Sequence, residues 1–364
     1  SSPWAAAFLS SAGATTPSCG SVSAGQRRRN TRSCLLGHLL EYIYTRTRGL
    51  KCAGPADSPV SEAIQKRPDG ADVIDGEAVA AEIRETVAEA VERLRPAGTT
   101  PELATVLMSD DPASETYVRM KQRDCEEVGM ESRHVEIDTD APQSALFETI
   151  EELNDDPAVD GILVQRPLTE SVDEPAALRR VDPRKDVDGF HPENVGRLVT
   201  GDPRFVPCTP LGVQRLLIEA DVEIPGSDVV IVGRSELVGK PLANLLLNRG
   251  DAANATVTVC HSKTDDLAAH LARADVVVVA AGVPGLVTGE MLSEGTTVID
   301  VGINAVGEGD DRKLIGDVEY DSASQVADAI TPVPGGVGPM TRAMLLRNTV
   351  VAAARRAGVE VELE

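Results

Sequence analysis

Val229-Val230-Ile231-Val232-Gly233-Arg234-Ser235-Glu236-Leu237-Val238-Gly239-Lys240-Pro241 is the stretch that decides the fold. Its first four residues are a β-branched apolar run, as in a strand buried on both faces. The apolar run at 241–247 reads as the helix that follows. A loop in this place offers free backbone N–H groups and a positive helix end to a dinucleotide pyrophosphate. Gly233 suits the tight turn, and Gly239 suits close packing of loop and helix. The spacing departs from the strict G-x-G-x-x-G. Ser235 takes the second glycine position, and the last glycine comes one residue late. Taken alone, the segment also reads as an ordinary strand–helix loop.

Downstream, apolar runs at 255–260, 275–280 and 297–301 predict three more buried strands, with a helix at 267–272. The strand after the loop ends in Cys260-His261-Ser262-Lys263-Thr264. A carboxylate there would bind a ribose 2′-hydroxyl and favour NAD. Hydroxyls and a cation, with Arg234 in reach, suit a 2′-phosphate, so NADP is expected. Upstream, Val79, Ile83, Val87, Val91 and Leu94 recur at helical spacing up to Pro96. A strand at 103–108 leads to a helix that Asp111-Pro112 opens and Gly129 stops. A strand at 134–137, a helix at 145–153 and a strand at 161–164 complete β-α-β-α-β. A last helix is expected at about 341–354. The predicted fold class is α/β: two doubly wound α/β domains with a cleft between them, the second of Rossmann type. The boundaries read as an extension at 1–70, a catalytic domain at 71–206 completed by a helix at 340–364, and a nucleotide domain at 207–339.

Charge separates the extension from the rest. Residues 1–70 hold 9 Lys+Arg and 4 Asp+Glu, leaving 26 and 54 for the other residues, a net of −28. The extension shows no sustained periodicity beyond a possible helix at 35–44. Its Arg27-Arg28-Arg29 and many Ser and Ala resemble an organellar transit peptide in composition, but an unstructured extension is the preferred reading. A chain starting near Asp69 is expected to fold. So acidic a body disfavours nucleic acid and anionic membranes as partners. It also has only 5 lysines, and abundant Asp/Glu with scarce Lys reads as an adaptation to high salt, where screening relieves self-repulsion. Cys125, Cys208 and Cys260 have no metal-ligand or CxxC spacing and read as reduced packing thiols, so no metal site is expected. A cytoplasmic location fits.

Tyr117 and Lys121, four apart, share one face of a helix. Lys121, Lys185, Lys240 and Lys263 all fall in candidate motifs, as if lysine were retained where a titratable ammonium is needed. Gln165 ends a strand, where open α/β sheets bind ligands. In Lys185-Asp186-Val187-Asp188-Gly189-Phe190, two acids alone make a poor cation cage. A carboxylate reading the N–H edge of a heterocycle is the better functional reading.

These segments occur in order with Pro207-Cys208-Thr209-Pro210 and Pro334-Gly335-Gly336-Val337-Gly338-Pro339-Met340-Thr341. Over about 71–357 the chain resembles the bifunctional methylenetetrahydrofolate dehydrogenase/methenyltetrahydrofolate cyclohydrolase family (FolD type), of a halophilic prokaryote by its charge. Arg166 departs from that pattern, which usually has an apolar residue before the proline. It is expected to alter the pocket wall or meet the acidic folate tail.

The resemblance implies NADP-dependent oxidation of 5,10-methylenetetrahydrofolate, then hydrolysis to 10-formyltetrahydrofolate. It implies a homodimer serving one-carbon metabolism and purine biosynthesis. Lys121 would move protons and Gln165 would hold it or the water. Tyr117 would stack on the folate, and Asp188 would anchor its pterin. Pro334, Gly335 and Gly336 would close on the substrate. Gly233, Arg234, Ser235, Ser262 and Ile303 would bind the cofactor. A monofunctional dehydrogenase and a non-catalytic NADP-binding regulator are the rivals. The acidic body carries one further expectation: stability and activity rise toward molar KCl. Melting curves and turnover across a KCl series check this, and full stability in dilute buffer, unaltered by added salt, refutes it.

Overall fold

The computed structural model describes residues 63–68, 70–307 and 313–363. The expected 35–44 helix and Asp69 lie outside these residues. The strands are β1 (Ile64–Gln65), β2 (Asp72–Ile74), β3 (Glu102–Leu107), β4 (Glu131–Glu136), β5 (Gly161–Val164), β6 (Asp228–Val232), β7 (Thr256–Cys260), β8 (Val276–Val279), β9 (Thr297–Asp300), β10 (Asn304–Val306), β11 (Lys313–Ile315) and β12 (Ala329–Ile330).

Two parallel sheets carry the fold. The smaller has the order β4-β3-β5, and the larger β1-β2-β12-β9-β8-β6-β7, in which β1 alone runs antiparallel. Alternation along each strand divides the core. In the small sheet, Ala104, Val106, Ile162 and Val164 pack with Leu146 and Ile150 of the Gln143–Asp155 helix. Leu103 and Leu163 face the Gly76–Leu94 helix side with Cys125 and Val128. In the large sheet, Val229, Ile231, Val276 and Val278 join Leu216 and Leu242 on one face, and Val230, Val232, Val277 and Val279 meet Leu271 on the other. The central strands of both sheets are therefore covered on both faces, as their continuous apolar runs require, whereas the edge strands β4 and β7 are partly exposed, β7 against the expectation of a buried strand. The free thiols Cys125, Cys208 and Cys260 are buried.

The helices begin where local chemistry predicts. Asp75 accepts from the N–H groups of Glu77 and Ala78 and opens Gly76–Leu94, whose Val79, Ile83, Val87, Val91 and Leu94 are buried. Asp111 caps Pro112–Glu127 through Ala113 and Ser114, with Pro112 in the first turn, where its missing N–H costs nothing. The last helix, Val337–Ala357, packs on Gly76–Leu94 and on Cys208–Glu219.

Two expected boundaries shift. β2, expected to open the catalytic domain, instead joins the large sheet, pairing Asp72 with Ala329 and Val73 with Ile330. Within the expected extension, Ala63 is buried, and β1 pairs Ile64 with Ile74 and Gln65 with Val73. The Asp75 N–H donates to the Ala63 carbonyl at 2.8 Å, and Gln65 Nε2 to the Asp75 carboxylate at 2.7 Å. Such short pairings carry no readable period, which is why sequence reading left them outside the fold. Moving the first residue from Ala63 to Asp72 should lower stability by about 1–3 kcal/mol, from lost apolar burial and hydrogen bonds. Denaturant melts of the two chains measure this. Equal midpoints would mean that β1 only decorates the edge.

Candidate functional site

The cleft lies at the carboxyl ends of β5 and β6, where open α/β sheets place ligands. Two cavities meet there. One, about 320 Å³, is lined by Tyr117, Lys121, Gln165, Asp188, Leu237 and Ile303, among others. The other, about 410 Å³, is lined by Glu77, Met120, Leu314 and the Pro332–Pro339 loop. Tyr117, Ile303 and Arg342 line both. A larger depression of about 920 Å³ sits at the opposite, amino ends of the strands, beside Asp72, Asp275 and Asp328. Its position in the fold argues against a substrate role.

Lys121 Nζ donates to Gln165 Oε1 at 2.8 Å. Gln165 Nε2 donates to the Arg166 carbonyl at 2.7 Å, so the amide is oriented with its oxygen toward the lysine. Burial draws the Lys121 ammonium below the ordinary lysine range, against the attraction of Asp188, and Arg342 adds to the lowering. Burial likewise pushes the Asp188 carboxyl above the usual carboxylate range, against the pull of Lys121.

The loop that presents Asp188 is held from several sides. Asp186 accepts from the N–H groups of Phe190 and His191, at 3.2 and 2.8 Å, and from Asn194 Nδ2 at 2.8 Å. It is a structural cap, which leaves Asp188 as the carboxylate facing the cleft. Asn348 Nδ2 donates to the carbonyls of Val187 and Val206, at 2.8 and 3.0 Å. Lys185 Nζ donates to the carbonyls of Leu153 and Asp156, at 2.9 and 2.7 Å.

Lys185 is thus an anchor, and Lys240 pairs on the surface with Glu236 at 3.0 Å. A long stem reaching backbone carbonyls or a neighbouring acid gives both lysines a structural role in their motifs. Arg166 pairs with Glu174, its guanidinium 5.8 Å from the Phe190 ring centroid, and builds the cleft wall. Gly335 and Gly336 line the second cavity, but they also serve contacts within the protein. The Gly335 carbonyl accepts from Glu77 N at 3.2 Å, and a Cβ on Gly76 would lie 1.8 Å from the Gly336 oxygen.

On the nucleotide side, Gly233 has φ +136°, and a Cβ there would lie 2.2 Å from the Ala280 oxygen. A Cβ on Gly239 would lie 2.1 Å from the Gly233 oxygen. Both positions require glycine for the loop to close over the strand end. Ser235 Oγ accepts from Val238 N at 3.1 Å and braces the turn. Arg234 and Ser262 are exposed at the ends of adjacent strands β6 and β7, and no side-chain partner is found for either among the described residues. This free cation and free hydroxyl fit a dinucleotide bearing a 2′-phosphate.

Sequence reading missed two features. Asp300, pushed by burial up to about 6, accepts from the N–H groups of Gly302, Asp317 and Val318. Asp317 in turn accepts from Ala281 and Gly282, both at 2.7 Å, so two buried acids shape the cofactor-side loops. The Asp-Val-Gly run at 300–302 was the available signal. The second feature is Arg342, whose Nη1 lies 2.8 and 3.0 Å from the two Asp124 oxygens. It directly follows Met340-Thr341 in the sequence.

Residues 74–188 match the family described as tetrahydrofolate dehydrogenase/cyclohydrolase, catalytic domain, and residues 207–357 its NAD(P)-binding domain. The bifunctional protein FolD of Natronomonas pharaonis is 62% identical over 294 residues, 80% of this chain and 99% of that protein. That of Halobacterium salinarum is 60% identical over 294 residues, with the same coverage. Among solved structures, the Campylobacter jejuni bifunctional enzyme FolD-methylenetetrahydrofolate dehydrogenase/cyclohydrolase is 45% identical, with a TM-score of 0.74 over 78% of this chain and 98% of its own. The Trypanosoma brucei methylenetetrahydrofolate dehydrogenase-cyclohydrolase, complexed with NADP cofactor and inhibitor, is 42% identical, with a TM-score of 0.75 over 79% and 98%. The salt-loving archaeal relatives fit the acidic composition.

Arg234→Ala should weaken NADP⁺ roughly ten- to a hundredfold by removing a charge-assisted contact, and NAD⁺ far less. Parallel KM measurements for the two cofactors decide it, and equal losses would take Arg234 away from the 2′-phosphate.

Proposed function

The chain belongs to the tetrahydrofolate dehydrogenase/cyclohydrolase family, and from that premise we propose that one cleft carries both reactions, with Lys121 as its proton-transferring group. The enzyme oxidises 5,10-methylenetetrahydrofolate to the 5,10-methenyl form with NADP⁺ and hydrolyses the methenyl form to 10-formyltetrahydrofolate. The single observation that carries the residue assignment is the 2.8 Å contact between Lys121 Nζ and Gln165 Oε1 in the cleft wall.

The two steps ask different things of the protein. In the first, bound NADP⁺ supplies the acceptor for hydride from the methylene carbon. The chain's part there is positioning. Asp188 anchors the pterin and Tyr117 stacks on the aromatic ring, which holds the methylene bridge toward the Leu237 and Ile303 side of the cleft. Gly233, Arg234, Ser235 and Ser262 hold the dinucleotide.

In the second step, water attacks the methenyl carbon and must lose a proton. The bond from that carbon to N5 breaks, N5 takes a proton, and the formyl group stays on N10. One proton is released overall. Lys121, with its pKa drawn down by burial, takes the water proton as free amine and returns it to N5 as ammonium. Gln165 keeps Nζ aimed at the reacting carbon. This paired lysine favours the bifunctional reading over a monofunctional dehydrogenase, and over a regulator that needs no acid–base group in its cleft. The formyl product suits transfer to amine acceptors, which supports purine biosynthesis as its destination. A homodimer and a cytoplasmic location are inferred from family resemblance.

Lys121→Met should suppress methenyl hydrolysis by about 10²–10⁴-fold while the dehydrogenase survives better, so that methenyltetrahydrofolate accumulates and is seen by its absorbance. A misplaced folate slows both steps, so the ratio of the two activities is the deciding quantity. An unchanged ratio removes Lys121 from proton transfer. In the parent enzyme, hydrolysis should rise with pH as Lys121 loses its proton, at a pH below the ordinary lysine range. That limb should be missing from the Met variant.

A further inference from the structure

Arg342 enters the chemistry above only as a charge that adds to the lowering of Lys121, yet it stands where the two cavities meet. Among the described residues lining both, which include Tyr117 and Ile303, it is the charged one. Its Nη1 is held by both oxygens of the buried Asp124, at 2.8 and 3.0 Å. Nε and Nη2 have no hydrogen-bond partner among the described residues, and neither is a buried, unsatisfied atom. One edge of the guanidinium is fixed, and the other keeps free donors.

Position and charge narrow the acceptor. On one side of Arg342 lie Lys121, Gln165 and Asp188, where the proposed reading puts the pterin. On the other lies the loop with Pro334, Gly335 and Gly336. A folate spanning both cavities has its p-aminobenzoyl group at their junction. Arg342 and Asp124 together are formally neutral, and Glu77 and Asp300 line the second cavity as well. Glu77 is engaged by Arg84 at 3.4 Å. Acids in that wall disfavour a carboxylate ligand, whereas a neutral carbonyl accepts from a guanidinium N–H without their repulsion.

We propose that Arg342 is a substrate-binding, specificity-determining residue whose free guanidinium edge donates to the p-aminobenzoyl carbonyl oxygen of the folate. This rests on the functional reading above. Tyr117 then reads the face of the same group that Arg342 reads at its carbonyl. Asp124 is a positioning residue, because it fixes the guanidinium before the substrate arrives.

The test compares two substrates. One is 5,10-methylenetetrahydrofolate. The other is the 5,10-methylene derivative of tetrahydro-6-(anilinomethyl)pterin, which lacks the carbonyl and everything beyond it. Arg342→Lys keeps a cation for Asp124 but loses the planar second edge, and Arg342→Met removes the donors altogether. In the dehydrogenase assay, which does not draw on proton transfer by Lys121, each variant should raise KM for the full substrate on the order of tenfold, with the loss in KM rather than kcat. The truncated substrate should lose less than about twofold on the same contact arithmetic. If the Met variant does not fold, the Lys variant decides alone. Equal losses on both substrates, or a loss confined to kcat, overturn the proposal while leaving the functional reading intact. A parent enzyme inactive on methylenetetrahydrofolate overturns both.

Discussion

Asn348, buried in the last helix, donates to the Val187 carbonyl, 161 residues earlier in the chain, and to that of Val206. Much of the cleft depends on this clamp. Val187 lies beside Asp188, and Asp188 sets the charge opposite Lys121. The same helix carries Thr341, whose hydroxyl lies 2.9 Å from that of Thr209, and Arg342, which holds Asp124 one turn beyond Lys121. A helix at the far end of the sequence therefore fixes groups contributed by three earlier segments. A buried side-chain amide between two backbone carbonyls has little freedom to shift, since either carbonyl left unpaired would cost about 1–3 kcal/mol.

The legible parts of the sequence were those where one physical rule acts over many residues. β5 and β6 are continuous apolar runs, and the Gly76–Leu94 helix repeats its apolar residues over five turns. Asp111-Pro112 marked a helix start because cap chemistry is local. β1, β2 and β12 span only two or three residues, too few for a period, and exist because neighbouring strands pair with them. The hairpin of β10 and β11 is likewise short, with β11 exposed throughout.

The site divides in the same way. Lys121 and Gln165 could be singled out because one shares a helix face with Tyr117 and the other ends a buried strand. Their contact is tertiary, but each was marked locally. Arg342 lies in a helix whose burial pattern runs nearly all round, and its partner Asp124 lies 218 residues upstream. Nothing local distinguishes it from a solvated helix arginine. Lys185 shows the converse: its motif is conspicuous, while its ammonium serves two backbone carbonyls.

Arg166 with Glu174, and Arg342 with Asp124, leave the cleft with cations whose charges are largely cancelled at contact distance. In molar salt the Debye length is about 3 Å, so attraction reaching through solvent is almost abolished. An anionic ligand then gains little from a positive field at the cleft mouth. Its capture rate is set by ordinary diffusion and by how often it collides in the correct orientation, and selectivity is expressed in how slowly the correct molecule leaves.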